Sequence, residues 1–124
     1  MSDSGLGVAL RTLRERRTLS VREMSKLAEV DHAYIYRLET GEKANPSSEL
    51  VAKLLKVLKP EEREALIVRW LATHEASADL VSLALEDPSI GIDLFTMAAG
   101  ATHRGGGRPD AAALIARCRR ALED

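Results

Sequence analysis

The stretch that decides the fold is residues 20–41, SVREMSKLAEVDHAYIYRLETG. Ser20, with Glu23 three residues later, is the reciprocal pairing of a capping box and marks the start of a helix chemically. Apolar residues then recur at Val21, Met24, Leu27 and Ala28, the three-and-four spacing of one buried stripe. Asp31 is a second N-cap, Ile35 and Leu38 give the next helix an inward face, and Gly41 ends it. Two helices this short bury little by themselves and need a third to lean on. With Val30, Ile35 and Leu38 inward, His32, Ala33, Tyr36, Arg37 and Thr40 fall on the outward side. On most helices such a face is merely solvated, but its small, hydrogen-bonding and cationic groups also suit base edges and phosphates in a major groove.

Working outward, Leu6, Ala9, Leu10 and Leu13 form the stripe of a preceding helix that stops near Arg17, and residues 1–4 read as frayed. Its outward side carries Arg11, Arg14, Arg16 and Arg17. On the other side, a polar loop with Pro46 leads to a helix capped by Ser47 or Asn45, with Leu50, Val51, Leu54, Leu55 and Leu58 facing in. Pro60 is placed at the first position of a fifth helix, where its missing N–H costs nothing, and Glu61, Glu62 and Glu64 complement the positive helix end. Leu66, Ile67, Trp70 and Leu71 make its stripe, and Trp70 either closes the core or anchors a dimer contact.

Three further helices follow. Leu80, Val81, Ala84 and Leu85 form one stripe, ended by Asp87-Pro88. Ile92, Leu94, Phe95, Met97 and Ala98 belong to a second segment over 90–99. The run 105–109, GGGRP, breaks the pattern, and it lacks the strand and the Lys-Ser or Lys-Thr of a phosphate loop. Pro109 and Asp110 start a last helix with Leu114, Ile115, Cys118 and Leu122 inward and Arg117, Arg119 and Arg120 on a basic side.

The 124 residues suffice for one core, or for a head with a smaller appendage. The 45% apolar and 30% charged shares are those of a folded globular chain. No run of 18 apolar residues exists, and the start MSDSGLGVAL has no basic-then-apolar leader. A single cysteine, Cys118, excludes an internal disulfide and fits a cytoplasmic setting, with the thiol expected to be buried. The net charge of −1 is unevenly spread: residues 1–60 hold 11 Lys or Arg against 8 Asp or Glu, giving +3, whereas residues 61–124 hold 7 against 11, giving −4. The positive half contains the outward face just described, and the acidic half suits a protein partner.

Residues 19–58, LSVREMSKLAEVDHAYIYRLETGEKANPSSELVAKLLKVL, resemble the helix-turn-helix domain of the lambda-repressor-like (XRE) transcription regulators. The shared marks are the Leu-Ser opening, the Tyr-Ile-x-Arg-Leu-Glu-x-Gly core and the Asn-Pro-Ser lead-in to the next helix. The resemblance implies an all-α fold with a five-helix DNA-binding head over 5–75; the three helices after it, too small to stand alone, are expected to form a small dimerisation or partner-binding region over 76–124. It puts Asp31, His32, Ala33, Tyr36 and Arg37 at the base-reading positions and Val21, Thr40, Lys43 and Asn45 where the backbone is touched. It also pairs Arg14 with Glu39 as a structural link between the first and third helices. Two residues depart from the family habit. Val21 replaces a Gln that orients a phosphate contact, so that contact is absent or moves to Arg22. Glu29 replaces a Gly at the corner, so Glu29 is left-handed at some cost or the corner is built differently.

The expected function is sequence-specific binding of double-stranded DNA as a homodimer on an inverted repeat, as a repressor, since one head reads only a few base pairs. Residues 83–109 and the helix after them also resemble, weakly, repressors of the DNA-damage response that a metallopeptidase cleaves, which would put a cut near His103 to Arg108. The alternative is an antitoxin that regulates its own promoter and holds a toxin through the acidic half. No enzyme, metal or cofactor is expected. His32, His74 and His103 lack ligand spacing, and no nucleophile, carboxylate pair or dinucleotide loop is present.

Overall fold

Capping chemistry sets most of the helix boundaries. The computed structural model describes residues 4–101 and 110–123, and among these it contains eight helices and no strand. They are α1 (Gly5–Arg16), α2 (Val21–Ala28), α3 (His32–Thr40), α4 (Ser48–Leu58), α5 (Glu62–Leu71), α6 (Ala78–Glu86), α7 (Ile92–Ala101) and α8 (Ala111–Glu123). Ser4, expected to fray, instead caps α1 by accepting from the Gly7 N–H at 2.8 Å. Ser20 and Glu23 form the capping box of α2, with bonds of 3.0 and 2.9 Å. Ser47, not Asn45, caps α4 through the Leu50 N–H, and Ser77 caps α6 through that of Leu80. Pro60 lies two residues before α5, because Glu61 takes the extended N-cap position, its N–H donating to Glu64 Oε1 at 3.1 Å.

The corner between α2 and α3 is left-handed at Glu29, with φ 57° and ψ 45°. The Val30 N–H reaches back to the Ser25 carbonyl at 3.1 Å, the six-to-one bond of a Schellman ending, and the Ser25 hydroxyl donates to the Val30 carbonyl. Gly41 ends α3 with φ 86°.

One apolar cluster runs from Leu6 in α1 to Cys118 in α8. Helix α1 packs on α3, α5 and α6; α2 packs on α3 and α4; and α7 joins α5 to α8. The expected boundary near residue 75 coincides with the α5–α6 connection, but the core crosses it without a break. The crossing is close: a Cβ on Gly5 would overlap the Ala76 carbonyl and crowd Val81. Trp70 spans the same junction, half-buried, stacked on His74 at 4.4 Å and edge-on to Phe95 of α7 at 5.5 Å.

Polar bonds seal the junction. Arg16 reaches Glu64, which is only 3% exposed, and the Leu85 carbonyl at the end of α6. Arg63 donates from one Nη to the Ala84 and Ile90 carbonyls at 2.7 and 3.0 Å. Guanidinium groups suit this end of α6, where free carbonyls carry the negative pole.

Three apolar residues assigned inward, Leu27, Leu66 and Leu122, are exposed instead, and Met97 of the segment over 90–99 is exposed as well. Leu27 lies at the edge of a stripe centred on Met24 and Ala28. Helix α5 turns Glu64, Ile67, Val68 and Leu71 inward, with the buried Glu64 bonded to Arg16, and leaves Leu66 outward. Met97 lies on the far side of α7 from Phe95, and Leu122 runs past the end of the packed face of α8.

Candidate nucleic-acid interface

Helix α3 buries Ile35, Leu38 and Glu39 and turns the other side to solvent. Asp31, His32, Tyr36 and Arg37 are all exposed there, Tyr36 by 54%, while Ala33 is half-buried between them. Asp31 Oδ1 accepts a long bond of 3.4 Å from the Ala33 N–H and lies 3.8 Å from His32 Nδ1, so its carboxylate is held at the helix start. Packing therefore fixes the helix, and His32, Tyr36 and Arg37 are exposed on its outward side.

The surrounding backbone-contact candidates occupy two sites. Val21 is half-buried in the first turn of α2, with Arg22 exposed beside it. Val21 has no side-chain donor, so Arg22 is the group at this helix end able to reach a phosphate. Thr40 is half-buried, and its hydroxyl donates to the Arg37 carbonyl at 3.2 Å and accepts from the Glu42 N–H at 3.4 Å. Lys43, whose N–H also binds the Arg37 carbonyl at 3.0 Å, and Asn45, left-handed at φ 53°, are exposed on the loop after α3.

Beneath this face lies the Arg14–Glu39 link. Arg14 donates from Nε and Nη2 to the two Glu39 oxygens, both at 2.8 Å, and from Nη1 to the Leu19 carbonyl at 2.8 Å. The bidentate bond to Glu39 raises the guanidinium pKa further above its ordinary value, against the opposing effect of burial. One side chain thus ties α1, the lead-in to α2 and the end of α3 together. A Cβ on Gly7 would collide with the Glu39 carbonyl, so the α1–α3 approach also requires glycine.

Sequence reasoning missed one member of the interface. Glu42 Oε2 lies 3.9 Å from Arg37 Nε, which sets a carboxylate beside a candidate base-reading cation. The two residues are separated by the Gly41 turn, and no helical spacing links them. Among the described residues, no group of three or more His, Cys, Asp or Glu is placed to hold a metal, and no helix is long and apolar enough to cross a membrane.

Residues 6–66 match the model of a family described as a helix-turn-helix domain. The match runs from α1 into α5 and contains α2, α3 and their corner. No curated protein and no solved structure matches the chain. The weak likeness of the C-terminal part to cleaved repressors lies outside the family match and has no other support, and the expected cut near His103 to Arg108 lies outside the described residues.

Proposed function

We propose, with the helix-turn-helix domain at residues 6–66 as premise, that this chain is a sequence-specific DNA-binding transcriptional regulator. It acts as a repressor, binding an inverted-repeat operator as a homodimer. The observation that carries the reading is the division of α3: Ile35, Leu38 and Glu39 are locked into the core, whereas His32, Tyr36 and Arg37 are exposed on one side. Laid in a major groove, Arg37 contacts a guanine edge, Tyr36 a thymine methyl or a phosphate, and His32 a purine N7 or a phosphate oxygen. Asp31 and Ala33 fill the remaining base-facing positions. Arg22, Thr40, Lys43 and Asn45 flank the groove as backbone contacts.

Two heads joined about one DNA turn apart give the specificity that one lacks. Dimerisation is assigned to residues 76–124, where Met97 and Leu122 are exposed apolar groups. The reading involves no catalysis and no cofactor, and a cytoplasmic location goes with it.

Fluorescence anisotropy with duplex DNA from the chain's own upstream region tests this. The wild-type chain is expected to bind one fragment well above competitor DNA, and Arg37→Ala to lose about 1–3 kcal/mol on that fragment alone. Equal losses on all duplexes would reduce Arg37 to a phosphate contact. Indifference to every duplex at modest salt would end the reading.

A further inference from the structure

The C-terminal ends of α1, α2 and α4 converge on a shallow groove far from the capped start of α2. Its rim carries Arg17, Lys53, Lys56 and Lys59 against the single acid Glu29. Its floor is apolar, formed by Ala28, half-buried Val57 and Leu27, which is 63% exposed, the most of any large apolar side chain described. None of the four cations has an ion-pair partner among the described residues. Cations near helix C-termini suit the dipole, but that account leaves the exposed leucine unexplained.

The same chain carries the opposite surface. On the outer side of α6, beside the start of α8, a second shallow groove holds Asp79, Glu86 and Asp110 around Leu83 and the alanines 111 and 112. These carboxylates also lack an ion-pair partner among the described residues. The two surfaces therefore match in character, each an apolar centre with a charged rim, and oppose in sign.

We infer that the groove around Leu27 receives the α6 surface of a second copy of this chain. An apolar floor favours protein over a nucleic-acid backbone, and charge complementarity selects this occupant. Such a contact joins unlike faces, so it does not close on itself and adds chains in succession. On DNA it links neighbouring bound units, which makes occupancy of adjacent sites cooperative. Patches this small make a weak contact, strengthened by steering between opposite charges.

Sedimentation velocity of the full chain without DNA, at roughly 100 µM, tests the contact in low salt and at about 0.5 M, where charges are screened within a few ångströms. Species larger than the symmetric dimer are expected in low salt and not in high. Lys53→Glu with Lys56→Glu, or Asp79→Lys with Glu86→Lys, should each weaken that association roughly tenfold or more through like-charge juxtaposition. All four positions are exposed, and thermal unfolding checks that both variants fold. An equimolar mixture of the two variants restores opposite signs at every junction and should recover the wild-type behaviour. A wild-type chain that never exceeds a dimer in low salt overturns the inference, as does a mixture that fails to recover. So does a lysine variant that loses DNA affinity with its self-association intact, which would mark the patch as a phosphate contact. Because self-association is read without DNA, its presence or loss is separate from failure of the DNA-binding reading.

Discussion

Glu39 is 4% exposed, and its charge is answered by Arg14 in a bidentate pair and by Arg11 at 3.6 Å. Glu39→Ala would leave Arg14 in a half-dry site with only the Leu19 carbonyl to serve it. Breaking a buried pair costs about 3–5 kcal/mol; allowing for the partial exposure of Arg14, we expect a loss of about 2–4 kcal/mol, read from urea unfolding at unchanged slope. Glu42 has the opposite sense, since on the proposed reading its carboxylate, 3.9 Å from Arg37, would compete with DNA for that cation. Glu42→Gln should therefore raise affinity for the operator fragment more than for other duplexes, as anisotropy titrations would show. The bond from the Ser20 N–H lowers the Glu23 pKa, as does the Ser20 side chain. Its folded pKa is below its unfolded one, so the capping box stabilises fully above the unfolded value and loses its contribution as pH falls through the folded value. Melting temperature should decline through the carboxylate range, less steeply for Glu23→Gln. The Arg14–Glu39 pair came from resemblance to a family pattern; the Arg37–Glu42 contact had no such guide, because a turn rather than a helical repeat brings the two together.

Helix starts were legible where a side chain marks them, as at Ser20, Asp31 and Ser47, because the chemistry of a cap is local. Helix faces were less legible. The expected stripe of α5 is Leu66, Ile67, Trp70 and Leu71. Ile67 and Leu71 are buried, but Val68 and Glu64, bonded to Arg16 48 residues away in sequence, share the inward face while Leu66 is exposed. A buried acid looks in sequence like any other first-turn glutamate. The corner between α2 and α3 was left open by the residues, and the fold settles it: Glu29 is left-handed. A non-glycine residue there stores backbone strain, so Glu29→Gly should stabilise the domain by about 0.5–1 kcal/mol, part of the relief being offset by the greater entropy of glycine in the unfolded chain. A higher urea midpoint at constant slope is the expected reading, with α3 unmoved. Gly7→Ala acts in the other direction, because the new Cβ meets the Glu39 backbone rather than a yielding side chain. That substitution should lower stability by about 1–3 kcal/mol and loosen α1 from α3.

At the scale of the whole molecule, the second half is bound into the first. The helix-turn-helix match stops at residue 66, but α6 packs along α1, Arg63 holds the carbonyls of Ala84 and Ile90, and Trp70 meets Phe95. Amphipathic stripes showed that α6 to α8 must bury a face. They could not show whether that face meets the head or a second copy, since both present the same apolar surface. If the second half only dimerises, a chain ending at residue 75 keeps its thermal stability and loses only high-affinity operator binding. If it also completes the core, that chain leaves the Gly5 side of α1 and the Trp70 side of α5 open to water. We expect the latter: the shortened chain should melt more than about 10 °C below the full one, since each 1 kcal/mol shifts a domain of this size by roughly 4–8 °C. Arg63→Met in the full chain checks the same claim without deleting anything. It removes the bonds to Ala84 and Ile90 while keeping much of the bulk, so amide exchange should quicken in α6 and α7 before α2 and α3 respond. Exchange that quickens uniformly would mean that the two halves unfold as one unit, with α3 held in place by contacts reaching as far as α8.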